Sequence, residues 1–313
     1  MLKFKKGENM KLVEVYQDAI KRKYAIGAFN FYNLESMKGI LDAAEELNTP
    51  VILAVSESAL KYFGAEFLKN AIISARNTYT CPFFIHLDHG KNLDICKTAI
   101  SIGFDSVMID GSHLPLEENI ALTKSVVNYA HKYGVQVEGE LGKLKGIEDD
   151  VISSENLFTD PDEAKYFVEQ TGVDSLAIAI GTSHGINKFS GKAEIRTDIL
   201  KKIQKKLKNI PLVLHGASSV NENTIQKINL MGGTLSNAKG VPEDVLTEVS
   251  TKHNICKINV DSDIRMETTL AVREFLNENT KEIDPRKYLG YAQKQITQLV
   301  KHKISNVFKT KPL

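Results

Sequence analysis

The sequence predicts a closed (β/α)8 barrel, and three observations predict it. Short apolar runs recur along the 313 residues, amphipathic helical patterns lie between them, and glycines or a proline-primed cap punctuate the joins. A repeated strand, helix, strand rhythm implies right-handed parallel crossovers, which close into a barrel more naturally than they spread into an open sheet. An open doubly wound sheet is the alternative architecture.

The elements follow in order. Apolar strands are expected at 25–31, 51–56, 83–87, 106–110, 135–141, 175–181, 211–215 and 257–261. Runs this uniformly apolar suit parallel strands covered on both faces. After strand one, Met37, Ile40, Leu41, Ala44 and Leu47 share one helical face; after strand four, Leu116, Ile120, Thr123, Val127 and Ala130 do the same. Gly103 and Gly134 stop the helices before strands four and five. Asp160 caps the next helix, with Pro161 at its first position and Glu163 three residues on, and Gly172 ends it. No linker or low-complexity tract breaks the chain, so residues 1–313 read as one barrel domain with a further helical segment at the C-terminal end.

Composition narrows the function classes. The chain is 42% hydrophobic and 25% charged, with 40 Lys+Arg against 39 Asp+Glu, so no basic footprint for nucleic acid or an anionic membrane is present. Lys201, Lys202, Lys205 and Lys206 read as a solvated helix face. Cys81, Cys96 and Cys256 form neither a disulfide framework nor a cysteine metal motif. Met1-Leu-Lys-Phe-Lys-Lys is too polar for a signal-peptide core, and no run approaches the ~20 apolar residues of a membrane helix. A cytoplasmic protein is expected.

Three histidine segments carry the chemistry: His86-Leu-Asp-His89-Gly, Gly181-Thr-Ser-His184-Gly and Leu214-His215-Gly-Ala-Ser218. Each follows an apolar run, at the barrel end where catalytic groups gather. One such histidine would be an ordinary loop residue; three in matching contexts point to a divalent cation held by His89, His184 and His215, with a coordination position left for substrate. His86 shares a strand face with Asp88 and could line the barrel interior, in a structural role. Asp88, Asp110, Glu138, Glu140 and Glu148 supply carboxylates at the same rim, where a metal-bound substrate needs a base. Asp149 and Asp150 read as a solvated acidic loop. The small-residue turns Gly181–Gly185, Gly216–Ser219 and Asn259–Ser262 expose backbone N–H groups after late strands, a recurrent way of holding phosphate.

These segments, with Gly27-Ala-Phe-Asn30, Ser106-Val-Met-Ile-Asp-Gly-Ser-His113, Val137-Glu-Gly-Glu-Leu-Gly142, Gly146-Ile-Glu-Asp149, Lys257-Ile-Asn-Val-Asp261 and Asp284-Pro-Arg-Lys-Tyr-Leu289, make the chain resemble the class II, zinc-dependent ketose-bisphosphate aldolases over about residues 24–289. The resemblance implies His89, His184 and His215 as zinc ligands and Asp88 as the acid/base at the C4 hydroxyl. It implies Glu148 as the proton shuttle at C3, and Asp110 and Glu140 as ligands of a second or displaced metal. The ketose C1 phosphate would rest on Gly181, Gly185, Gly216, Ala217, Ser218, Asn259, Val260, Asp261 and Ser262, with Asn30 and Ser56 lining the substrate site. Arg286 would reach the other phosphate in a neighbouring subunit, implying a homodimer or larger homo-oligomer. Activation by a monovalent cation, Na+ or K+, is a further family trait.

The implied reaction is reversible cleavage of fructose 1,6-bisphosphate to dihydroxyacetone phosphate and glyceraldehyde 3-phosphate. Zinc would act as a Lewis acid on the charge left when the C3–C4 bond breaks, so no lysine Schiff base is required. Tagatose 1,6-bisphosphate is the alternative substrate, since it differs only in configuration at C4. Gly139, the Ser219-Val-Asn turn and the insertion-like stretch 234–252 depart from many relatives and leave the sugar preference open. A metal-dependent hydrolase would commonly carry His-x-His on strand one, which reads Ala25-Ile-Gly-Ala-Phe-Asn-Phe31 here. A non-catalytic sugar-phosphate binder would not need Asp88 and Glu148 together, and a lysine-dependent aldolase would not need the histidines.

Overall fold

A computed structural model describes residues 10–143, 145–148, 151–153, 157–184, 195–236 and 240–313, with 145–148, 151–153 and 184 described in backbone alone. Eight strands form the barrel: β1 (Ile26–Asn30), β2 (Val51–Ser56), β3 (Phe83–Gly90), β4 (Ser106–Ile109), β5 (Gln136–Leu141), β6 (Ser175–Ile178), β7 (Leu212–Leu214) and β8 (Ile255–Val260). Each pairs in parallel with its neighbours in chain order, and β8 closes onto β1 through Ile26↔Lys257 to Phe29↔Val260.

The expected strands are all present, most within one residue of the expected ends, and three differ by more. β3 runs on to Gly90, which pairs with Ile109 past a register shift. β6 stops at Ile178, short of the expected Gly181. β8 starts two residues before the expected Lys257, where Ile255 pairs with Leu212, and ends before Asp261.

Strand periodicity explains the layers. In β3, Phe83, Ile85 and Leu87 join the apolar cluster between strands and helices, whereas the alternate residues His86 and Asp88 belong to the other face, inside the barrel. Met108, Ala177 and Val213 fill a small apolar layer there. One end of the barrel is plugged by helix α1 (Leu12–Arg22), whose Leu12, Val15, Tyr16 and Ala19 pack with Tyr24, Ile26, Ile52 and Phe84.

The outer helices are α2 (Leu34–Leu47), α3 (Glu57–Phe63), α4 (Ala65–Thr78), α5 (Leu93–Ser101), α6 (Leu116–Ala130), α7 (Pro161–Thr171), α8 (Thr197–Lys206), α9 (Glu222–Leu230), α10 (Glu243–Lys252) and α11 (Ser262–Glu278). The faces read from sequence are the buried ones: Met37, Ile40, Leu41 and Ala44 in α2, and Ile120, Thr123, Val127 and Ala130 in α6. Asp160 caps α7 by accepting from the N–H groups of Asp162 (2.8 Å) and Glu163 (3.1 Å), and Gly172 ends it in the left-handed conformation. Lys201, Lys202, Lys205 and Lys206 are exposed on α8. The insertion-like stretch 234–252 contains α10; its residues 237–239 lie outside the described ones. After α11, helix α12 (Pro285–His302) and a π-helical turn (Lys303–Val307) complete the C-terminal helical segment.

At one point β5 and its covering helix touch unusually closely. A Cβ added to Gly139 would lie 2.8 Å from the ring of Phe167 on α7, so a side chain here would press on that ring.

Candidate metal centre and active site

The C-terminal ends of β3 and β7 bring two of the three candidate ligands together. His89 Nε2 and His215 Nδ1 lie 2.9 Å apart, with the rings edge to face at 4.6 Å. His89, at the end of β3, has φ +49°, a left-handed turn of the backbone in the strand's last residues.

Each ring spends its outer nitrogen on a carboxylate. His89 Nδ1 is 2.9 Å from Asp110 Oδ2, and His215 Nε2 is 2.8 Å from Glu138 Oε1. The inner nitrogens are thereby aimed at one another, the arrangement in which outer carboxylates orient metal-binding imidazoles. Ligand atoms of Asp88, His89 and His215 lie within 4.8 Å of one another, and so do those of His89, Asp110 and Glu140. Glu140 Oε2 is buried, 3.7 Å from His89 Nδ1, and has no hydrogen-bond partner. An orphaned carboxylate oxygen beside His89 and Asp110, with a second imidazole facing the other side of the His89 ring, fits a divalent cation.

His184 closes the short strand Ser183–His184, which pairs in parallel with Lys145–Glu148 through Lys145↔Ser183 and Gly146↔His184. Glu148 therefore ends a strand hydrogen-bonded to the one that carries His184. The side chains of His184 and Glu148, and all of Gly185, Asp149 and Asp150, lie outside the described residues.

The electrostatics follow from burial and neighbours. Burial opposes a charge on His89, but the hydrogen bond to Asp110 and the carboxylates of Asp88, Glu140 and Asp110 outweigh it and lift its pKa to about 10. Burial and the cations of His89 and Lys257 push His215 well below the ordinary histidine value. A neutral His215 donates Nε2–H to Glu138 and keeps the Nδ1 lone pair for a ligand. Burial pushes Glu140 up, reinforced by Asp110. For Asp88, burial is opposed by the charges of His89 and Lys257 and by the hydrogen bond from Asn30, and the carboxyl ends below its ordinary value.

Asp88 is held at both oxygens. Asn30 Nδ2, at the end of β1, donates to Oδ2 at 2.9 Å, and Asn259 Nδ2 on β8 donates to Oδ1 at 2.8 Å. Oδ1 also lies 3.9 Å from His215 Nδ1. Among the described residues the amide oxygens of Asn30 and Asn259 are buried with no hydrogen-bond partner.

The candidate phosphate turns adjoin one another. Ser218 Oγ accepts from the backbone N–H groups of Asp261 (3.3 Å) and Ser262 (3.2 Å), tying the end of β7 to the end of β8. A Cβ on Gly216, at φ +60°, would lie 2.7 Å from the Ser183 backbone, so the absence of a side chain lets the β6 and β7 loops touch. Ala217 and Val260 are buried, and Gly181 follows β6 at φ +109°. Asp261 pairs through both oxygens with Arg265 Nε, whose guanidinium stacks over Tyr32. Ser56 caps α3 through its contact with the Ala59 N–H. Arg286 is exposed and pairs with Asp284 on its own helix.

Lys257 has no role by sequence, and Glu138 stands only among the rim carboxylates; the structure joins the two. The Lys257 ammonium lies 2.9 and 2.8 Å from the two Glu138 oxygens and 3.0 Å from His86 Nε2, while His86 Nδ1 meets Ser106 Oγ at 2.7 Å. The signal was available, because a lysine within Ile255-Cys-Lys-Ile258 can be buried only with a counter-charge. His86 has the structural position expected of it.

The family model for fructose-bisphosphate aldolase class II matches residues 10–311. The chain belongs to the class II fructose-bisphosphate aldolase family. Family members are lyases, and the class is zinc-dependent. The chain is 47% identical to a fructose-bisphosphate aldolase of Giardia intestinalis, over 94% of this chain and 91% of that one. It is 44% identical to that of Treponema pallidum, over 94% of each. The solved structure of the YdjI aldolase from Escherichia coli K12 superposes with a TM-score of 0.77 at 29% identity, covering 96% of this chain and 97% of that one. No helix among the described residues is long and apolar enough to cross a membrane.

Proposed function

We propose that the protein catalyses reversible aldol cleavage of fructose 1,6-bisphosphate to dihydroxyacetone phosphate and glyceraldehyde 3-phosphate. The observation that carries the reading is Asp88, clamped by Asn30 and Asn259 beside the facing nitrogens of His89 and His215. His89, His184 and His215 would hold zinc. When bound, the cation supplies a Lewis acid that draws off the negative charge developing at C2 and C3.

The chain's own groups handle the protons. Asp88 takes the C4 hydroxyl proton as the C3–C4 bond breaks, and Asn30 and Asn259 keep its lone pairs aimed. Glu148 returns a proton to C3. Gly181, Gly185, Gly216, Ala217, Ser218 and the Asn259–Ser262 turn hold the C1 phosphate by backbone N–H groups and the Ser218 hydroxyl, with Ser56 at the substrate's edge. Asp110 and Glu140 would hold a second divalent metal, and a monovalent cation, Na+ or K+, would activate the enzyme. In a homodimer or larger homo-oligomer Arg286 binds the second phosphate of a neighbouring site; its exposure supports that role. The balanced charge fits a cytoplasmic setting, and the unbroken strand and helix rhythm without a linker supports a single domain over residues 1–313.

The test is steady-state cleavage of fructose 1,6-bisphosphate and tagatose 1,6-bisphosphate, with dihydroxyacetone phosphate detected, with and without chelator. Chelator-sensitive cleavage with the higher kcat/KM for the fructose compound is expected. A higher kcat/KM for tagatose would reassign the sugar, and zinc-loaded protein that cleaves neither would overturn the reaction.

A further inference from the structure

The loop that leaves β7 is shaped by groups remote from the histidines. Val220 sits at φ +46°, a left-handed conformation that a β-branched residue rarely adopts. Its neighbours over-determine that shape. Asp263, buried in the first turn of α11, accepts from the Val220 N–H at 2.8 Å through Oδ1 and from the Ser219 N–H at 3.0 Å through Oδ2. Next to it, Ser218 receives the two N–H groups from the β8 turn.

The charge on Asp263 is matched from the C-terminal segment of the chain. Lys303, at the start of the C-terminal π-helical turn, is almost wholly buried. Its ammonium lies 2.9 Å from Asp263 Oδ2 and 2.8 Å from Glu243 Oε1 of α10, and it also donates to the Ser219 hydroxyl. Removing one member of such a buried cluster leaves a carboxylate without its counter-charge, which is more costly than never having had the pair. The Asp263 carboxylate would then turn toward solvent, and the 218–220 backbone that hangs from it would lose its fixed shape.

We infer that Lys303 is a positioning residue for phosphate binding: acting through Asp263, it holds the 218–220 loop in the shape that presents the Ser218 hydroxyl to the ketose C1 phosphate. The inference rests on the proposed phosphate site. It separates two tasks within one active site. The histidine cluster is braced from inside the barrel by Glu138, and the phosphate loop is braced from outside by the C-terminal turn.

The test uses full-length, zinc-loaded K303M and K303R, with kcat and KM for fructose 1,6-bisphosphate and direct calorimetric titration with dihydroxyacetone phosphate. In K303M, KM and the dihydroxyacetone phosphate Kd are expected to rise about tenfold or more, kcat to change by less than about threefold, and zinc content to stay equal. K303R, which keeps the charge, recovers most of the affinity. A purely structural lysine would lower the melting temperature without this split between KM and kcat. D263N supplies a second variant should K303M not fold, and is expected to weaken the same titration. Folded K303M or D263N that binds dihydroxyacetone phosphate within about twofold of the parent would overturn the inference. A parent that binds dihydroxyacetone phosphate but cleaves no bisphosphate removes the proposed reaction and leaves this binding comparison intact; a parent that binds neither removes both.

Discussion

Glu138 accepts the Nε2–H of His215 at 2.8 Å, on the opposite side of the ring from His89. That contact selects the tautomer in which Nδ1 carries the lone pair that a metal would use. Glu138→Gln can present its amide N–H to the ring and favour the wrong tautomer. Zinc affinity, measured by competition with a chelator of known strength, should fall by about 10- to 100-fold. Unchanged affinity would mean that the ring is oriented by other contacts.

Asp88 has two amide clamps and a place beside the metal ligands, so its loss should strike proton transfer more than folding. Asp88→Ala is expected to lower kcat by about 10²–10⁴-fold while zinc content stays constant. Metal analysis alongside kinetics separates that result from simple loss of zinc.

Zinc removal should abolish cleavage and lower the melting temperature, because the cation binds the folded arrangement of ligands dispersed over the sequence. At free zinc 100 times Kd the stabilisation is about 2.7 kcal/mol. Thermal melts with chelator and after zinc addition read it directly. His215→Ala should melt at one temperature in both conditions.

Much of this was legible before any coordinates. Strands 83–87, 106–110 and 135–141 announce themselves by composition, and the positions of His89 and His215 follow from strand ends. The short approach of those two rings was not legible, since it depends on a left-handed His89 backbone that no residue preference signals. Strand ends drifted for a related reason: β8 begins at Ile255 because its partner Leu212 is in register there. The Lys303–Asp263 pair joins residues distant in sequence, on two helical segments with ordinary surface-like patterns. Only packing brings them together.

The Lys303 cluster also predicts a pH profile. Burial would raise the Asp263 pKa, but Lys303 and the N–H groups of Ser219 and Val220 hold it below the ordinary value; Glu243 is lowered as well, and Lys303 is raised. Depressed carboxyl values stabilise the fold above their unfolded pKa, and that contribution drains away as pH falls through the folded value. The raised lysine contributes fully below its unfolded pKa and loses its contribution as pH rises through the folded one. The stability gap between parent and Lys303→Met, on the order of 3 kcal/mol at neutral pH, should therefore narrow at both extremes. Denaturant midpoints across pH would show it; a flat gap would mean the charges are not what Lys303 contributes.

Gly139→Ala places a methyl group against Phe167 where no space exists. The variant should lose about 1–3 kcal/mol of stability, read from the guanidinium midpoint, with kcat/KM nearly unchanged because the clash faces α7 and not the barrel interior.

Lys257 has one more consequence. An amine inside such a barrel could attack a ketose carbonyl and carry the substrate as an imine. Here each of its protons is directed at an acceptor, two at Glu138 and one at His86. An ammonium so engaged has no electron pair to share, and its neighbours would have to be dismantled to release one. Borohydride added during turnover should leave the protein's mass unchanged, and the lysine that most resembles a nucleophile by location is, by its bonding, a strut.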